Sequence, residues 1–137
     1  MPTVFTKYPG ATQTMRLTYH PVAKTGTSRT AAASEMFNTI YSRSALGGAA
    51  TDTTDTATAL AALFEAPVID SAFEWIVQNN DGSNDLTIVG GTGVTLVGTN
   101  SATVAHGTTR QYIGVITQKG PLNTIGINLY SITSGIQ

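Results

Sequence analysis

Few residues of this chain are of a type and spacing that could do chemistry. His20 and His106 are its two imidazoles. Neither has a carboxylate or a second histidine at ligand spacing, and a zinc site needs three or four ligands. His106 precedes Gly107 in a polar stretch and reads as a solvated turn residue. The run Asn79-Asn80-Asp81-Gly82-Ser83-Asn84-Asp85 is rich in oxygen ligands. An EF-hand loop would place an oxygen ligand at Val77 and an acid at Ile88, so a hairpin turn is the better reading. Gly90-Gly91-Thr92-Gly93 lacks the Lys-Ser/Thr ending of a phosphate loop and lies between strand-like segments rather than before a helix. It reads as a β bend.

Nucleophile and acid–base arrangements fare no better. No serine sits in a Gly-x-Ser-x-Gly elbow. Asp70 with Glu74, and Asp52 with Asp55, are near in sequence, but glycoside hydrolysis needs two acids converging on a pocket. Trp75 could stack on a sugar, yet it shares phase with Phe73 and Val77 and reads as core. The expectation is a protein without catalytic, cofactor-binding or metal-binding residues, which is not an enzyme.

Composition points the same way. The chain has 137 residues, enough for one domain with a real core. Charged residues make up 11%, against a usual share of about 25%. Thr is the commonest residue, at roughly one position in six. Sparse charge with abundant Thr, Gly and Ala suits a surface covered by other copies or subunits. Seven basic residues are scattered and the net charge is −1, without the basic stripe that nucleic acid requires. With no cysteine, disulfides and thiolate metal sites are excluded. The opening MPTVFTKYPGATQT has no apolar core of a signal peptide. No apolar run approaches the ~18 residues of a membrane span. Nucleic-acid and membrane partners are therefore not expected.

The elements that position these residues fall into three zones. Residues 1–30, with Pro2, Pro9 and Pro21, read as an extended N-terminal arm carrying anchors at Phe5, Tyr8, Leu17 and Tyr19. Met15, Leu17 and Tyr19 alternate with polar residues as in a short strand. Such an arm is expected to be removable without unfolding the rest. Residues 31–66 read as a helical and loop segment. Ala33, Met36, Phe37, Ile40 and Tyr41 recur at spacings of three and four, which predicts a helix over 31–44. Asp55 or Thr56 caps a second short helix that stops before Pro67.

Residues 67–137 read as strands and turns. Phe73, Trp75 and Val77 share one face, Leu86 and Ile88 repeat the alternation, and Tyr112–Thr117 is apolar on both faces and so central. Ile125, Ile127 and Leu129 close the pattern. The predicted core is Phe73, Trp75, Val77, Leu86, Ile88, Ile116, Ile127 and Leu129. Asn79–Asn84 is expected to join two antiparallel strands. The class is mainly β: an antiparallel β-sandwich or jelly-roll-like single domain with one or two short helices.

The stretch TIVGGTGVTLVGTNSATVAHGTTRQYIGVIT (Thr87–Thr117), preceded by SAFEWIVQN, resembles a β module of tailed-phage and large-virus structural proteins. The ordered elements run from Thr54–Phe64 to Thr124–Ile132, somewhat over half of the chain. The family pattern more often has Phe at the position of Trp75 and a longer side chain at Gly114. The first 50 residues lie outside the resemblance. It implies a virion component on the capsid surface: a capsid decoration (cement) protein, self-associating as a homo-oligomer with a trimer as the first expectation, and bound to the major capsid protein. The alternatives are a head or tail fibre or its base, and, from another class, a carbohydrate- or receptor-binding β-sandwich with Trp75 or Tyr112 exposed.

Overall fold

The computed structural model describes residues 18–120 and 124–132. Its first half is a coil that lays one strand on each of two sheets per turn. β1 (His20–Thr25) and β2 (Arg29–Thr30) make the first turn, β3 (Thr39–Ser44) and β4 (Ala50–Thr53) the second, and β5 (Ala72–Asn79) and β6 (Leu86–Val89) the third. Val22 lies opposite Tyr41 and Tyr41 opposite Val77, all in parallel. On the other sheet Arg29 lies opposite Asp52 and Asp52 opposite Ile88, again in parallel. Parallel neighbours need a long crossover. Here the excursion to the opposite sheet supplies it.

The second half closes the sheets. β7 (Val94–Val97) joins the first sheet and β8 (Thr103–Val104) the second, then β9 (Thr108–Lys119) and β10 (Ile125–Ile132) complete the first. β9 runs antiparallel between β5 and β10, the central place expected for Tyr112–Thr117. The orders are β1-β3-β5-β9-β10-β7 and β2-β4-β6-β8. The protein is thus mainly β, with mixed sheets rather than the wholly antiparallel ladders expected. Turn residues do not reveal which of the two will form. Asn80–Asp85 does not reverse the chain within one sheet but carries it around a corner, from β5 to the opposite sheet at β6.

Alternation decides what each strand buries. In β3 the inward residues Thr39, Tyr41 and Arg43 are fully buried, and in β5 Phe73, Trp75, Val77 and Asn79 are buried. Tyr41, Trp75 and Tyr112 form an aromatic row across three strands, with ring centroids 5.5 and 5.6 Å apart. Their polar tips are satisfied: Trp75 Nε1 donates to the Glu35 carbonyl (3.1 Å) and Tyr112 Oη to the Ser101 carbonyl (2.6 Å).

The helix expected over 31–44 does not form. A short 3-10 turn at Ala33–Glu35 is followed by Asn38 in the left-handed region (φ 51°), and β3 begins at the next residue. The β-branched and aromatic run Thr39-Ile40-Tyr41 then fits a pleated surface better than a helix. The second helix is present as α1 (Ala57–Ala61), with Thr56 Oγ1 accepting from Ala59 N at 3.1 Å. The arm expected over residues 1–30 also differs from the structure. From His20 onward it is paired in both sheets, while Phe5, Tyr8, Met15 and Leu17 lie outside the described residues.

Candidate functional site

The groups that could do chemistry are dispersed. His106 Nδ1 lies 3.0 Å from Asp85 Oδ1, and both side chains are half exposed. Bonds from the backbone and ring of His106 hold the Asp85 carboxyl below the usual range. The partner is 21 residues upstream, so local spacing could not reveal it. His20 approaches only the Ser34 carbonyl and Thr39 Oγ1, at 3.4 and 3.5 Å. Among the described residues no three His, Cys, Asp or Glu side chains gather as a metal site would require.

The loop that invited a calcium reading spends its oxygens on the chain itself. Asp81 Oδ1 accepts from the backbone of Ser83 (3.0 Å) and Asn84 (2.9 Å), and Oδ2 from Leu46 N (2.8 Å). These bonds hold its carboxyl down at about 2. The Leu46 bond reaches back to the corner between β3 and β4, so the third turn grips the second. The pairs of acids do not converge. Asp52 is fully buried, whereas Asp55 accepts from Ala33 N and Thr56 N, both at 2.8 Å. Gly91 N donates to Thr54 Oγ1 (2.8 Å) and Thr92 O accepts from Ala57 N (2.9 Å), so the glycine bend is docked on the start of α1.

A buried ionic cluster, not foreseen from sequence, ties the first two turns together. Arg43 Nε donates to Asp52 Oδ2 (2.6 Å) and Nη2 to Asp52 Oδ1 (3.1 Å), with both side chains fully enclosed. Nη1 donates to the Lys24 carbonyl (3.2 Å), and Nη2 is shared with the carbonyls of Gly26 (3.0 Å) and Thr27 (2.6 Å), at the corner that ends β1. Tyr41 Oη donates to Asp52 Oδ2 (2.8 Å), and burial pushes that phenol up. Nearby, Glu35 meets Lys24 (3.0 Å) and Arg29 (3.2 Å). Burial would raise its carboxyl, but the Ala32 N–H and the two cations outweigh this and hold it below the usual range. With the fully enclosed Arg43 and Asp52 paired, and Glu35 shared by two half-exposed cations at the rim, this cluster has a structural role.

What faces outward is the six-stranded sheet. Register sets Ile40 beside Ile76, then Gln111 and Ile132, in one row across the strands. A second row runs Glu74, Ile113, Tyr130 and Val97. Both rows alternate with the buried positions and are partly exposed, Tyr130 at 37% and Ile132 at 45%. Glu74 is the one charged side chain among the described residues of this face, and Gln111 Nε2 donates to it. Lys119, the last residue of β9, pairs with Ile125 at the end of the sheet, where its Nζ donates to the Pro67 carbonyl (2.7 Å). At the Glu74 end, Asn38, Ala72, Phe73, Glu74 and Ile113 line an open groove of about 310 Å³.

Comparison with protein-family models, curated proteins and solved structures returned no match.

The residues singled out from sequence are distributed as follows. Phe73, Trp75, Val77, Leu86, Ile88, Ile116, Ile127 and Leu129 are all buried, at most 3% exposed. Of the four arm anchors only Tyr19 is described, half-buried just before β1. Gly114 is buried directly against Phe73, and a Cβ there would fall inside the Phe73 ring. The longer side chain of the resembling pattern therefore requires a different partner at position 73. The outer face was missed as a unit because its residues come from six separate segments.

Proposed function

We propose that this protein is a structural building block of a virion, a capsid decoration (cement) protein that acts by association and not by catalysis. The observation that carries the reading is the outer face of the six-stranded sheet: broad and nearly free of charge, with Ile40, Ile76, Ile113, Tyr130, Ile132 and Val97 set among uncharged polar residues such as Ser42, Gln78, Thr109 and Asn128. A face of that kind loses free energy when it stays in water and gains it when covered. The resemblance of Thr87–Thr117 to virion β modules supplies the setting, with the chain self-associating and bound to the major capsid protein on the head surface. Repetition over many copies would multiply a modest gain per contact.

The alternative of a sugar- or receptor-binding sandwich with aromatic platforms has less support. Trp75 and Tyr112 are both fully enclosed, with ring tips bonded to backbone carbonyls. A fibre or fibre base would use the same sheet face and differs in location. Immunogold labelling of purified virions with antibody to this chain tests the reading. Gold over the head surface is the expected result. Gold confined to the tail favours the fibre, and absence of the chain from purified particles overturns the proposal.

A further inference from the structure

The outer face mixes isoleucines with uncharged polar residues and carries almost no charge, so it is electrically compatible with itself. Its two rows bring Ile40, Ile76, Ile113, Tyr130, Ile132 and Val97 together, and its single carboxylate already accepts from Gln111. Lys119, at the end of β9, is engaged by the Pro67 carbonyl, so the face presents no cluster of cations among its described residues to meet a phosphate or an acidic partner. Two identical copies of a charged face repel unless their signs alternate, whereas copies of this one do not. Its size also fits. Six strands at ~4.8 Å spacing, averaging about seven residues at ~3.3 Å each, project to roughly 650 Å². Side chains standing off that plane bring the accessible area near the ~800 Å² per partner of a standard interface.

We propose that a second copy of this chain covers the face, sheet against sheet, in a two-fold pair. The inference rests on the reading of the chain as an assembling protein and adds which surface it uses. Two twisted sheets pack face to face with their strands about 30° apart, interdigitating the side chains of each. Such a contact is the same patch on both partners, so it closes at two copies. This differs from the trimer expected from sequence, and a mass measurement separates the two.

Sedimentation equilibrium of the full chain over a dilution series should show a reversible dimer. Ile113→Lys, which would put a charged side chain into the covered contact, should weaken it at least about tenfold. Tyr130→Ser, at a position already 37% exposed, serves as a second variant that does not threaten the fold. Circular dichroism of both should match the parent chain. The chain has no cysteine of its own, so Gln111→Cys carrying a nitroxide label should show spin–spin coupling between copies. Thr51→Cys, exposed on the other sheet, should not. A parent chain that stays monomeric, one that forms a trimer, or a dimer indifferent to Ile113→Lys and Tyr130→Ser overturns the proposal. Virion labelling is read independently, so either conclusion can fail while the other stands.

Discussion

The first two turns of the coil and the rest of the sandwich differ in how much charge lies among their buried apolar residues. Between β1, β3 and β4 the interior holds Arg43, Asp52, Tyr41 and, at its rim, Glu35 with Lys24 and Arg29. From the third turn onward it holds Trp75, Val77, Leu86, Ile88, Tyr112, Ile116, Ile127 and Leu129. Arg43, Asp52 and Tyr41 are as closed to water as the apolar residues, but the two regions respond differently to change. Apolar packing is a sum of many small contacts, so its loss scales with the volume removed. A buried ion pair is held by a few directed bonds, and removing one partner strands the other.

The largest expected effect comes from removing residues 1–30. That deletion takes away β1, β2 and all three carbonyls that Arg43 holds. The truncated chain should lose its cooperative thermal transition. A native circular dichroism spectrum with an intact melt would show that the polar half is dispensable.

Next come single deletions in each region. Asp52→Ala should destabilise by ~3–5 kcal/mol because Arg43 is left buried and unpaired. Trp75→Ala should cost a similar ~3–5 kcal/mol for a different reason, an emptied aromatic site. Conservative replacements should then separate the regions. Trp75→Phe keeps most of the packing, whereas Arg43→Lys loses the planar fork that meets Asp52 and the corner carbonyls. Denaturant unfolding of the two should rank Arg43→Lys as the more damaging. Equal losses would erase the distinction drawn between the regions.

Gly114→Ala probes how closely the apolar region is packed. Its Cβ would collide with the Phe73 ring, a strain of roughly 1–3 kcal/mol. Adding Phe73→Leu should recover part of that loss. If the pair of substitutions is simply additive in urea titrations, the two positions are not in contact.

The smallest effect is on acid stability. The carboxyls of Asp81 and Glu35 lie below their usual range in the folded protein. Each therefore contributes stability that is complete above its unfolded value near 4 and declines as pH falls, for Asp81 through about 2. Asp81→Asn should flatten the loss of melting temperature between pH 5 and pH 2. A parent-like pH profile in that variant would detach the corner from acid denaturation.

Much of the apolar half was legible in the sequence, and little of the polar half. Phe73, Trp75 and Val77 announce a strand because apolar and polar residues alternate cleanly about a single buried face. The segment through Tyr41 and Arg43 hides its strand. Ala33, Met36, Phe37, Ile40 and Tyr41 fall by coincidence at helical spacings, and only the left-handed Asn38 interrupts them. The inward Arg43 also breaks the alternation, since an arginine is expected outside. Winding was equally hidden. Lys24, Arg43 and Asn79 stack at one level on successive turns, yet share no chemistry that would betray a repeat. The outer face could not be read because adjacency across strands depends on register, which the coil sets.

Two corners of the coil are fastened from downstream. Arg43 holds the corner at Lys24–Thr27, and Asp81 holds the next one through Leu46 N. On a ribosome the chain emerges from its N-terminus, so both corners are made before their fasteners exist. The first turn stays open until Arg43 and Asp52 have both appeared, and the second until Asp81 has. Closure of such distant contacts is slow compared with local turns. During that interval the parallel edges of the unfinished turns are exposed to other nascent chains. Consolidation thus proceeds with a built-in delay, in which the newest turn certifies the one before it.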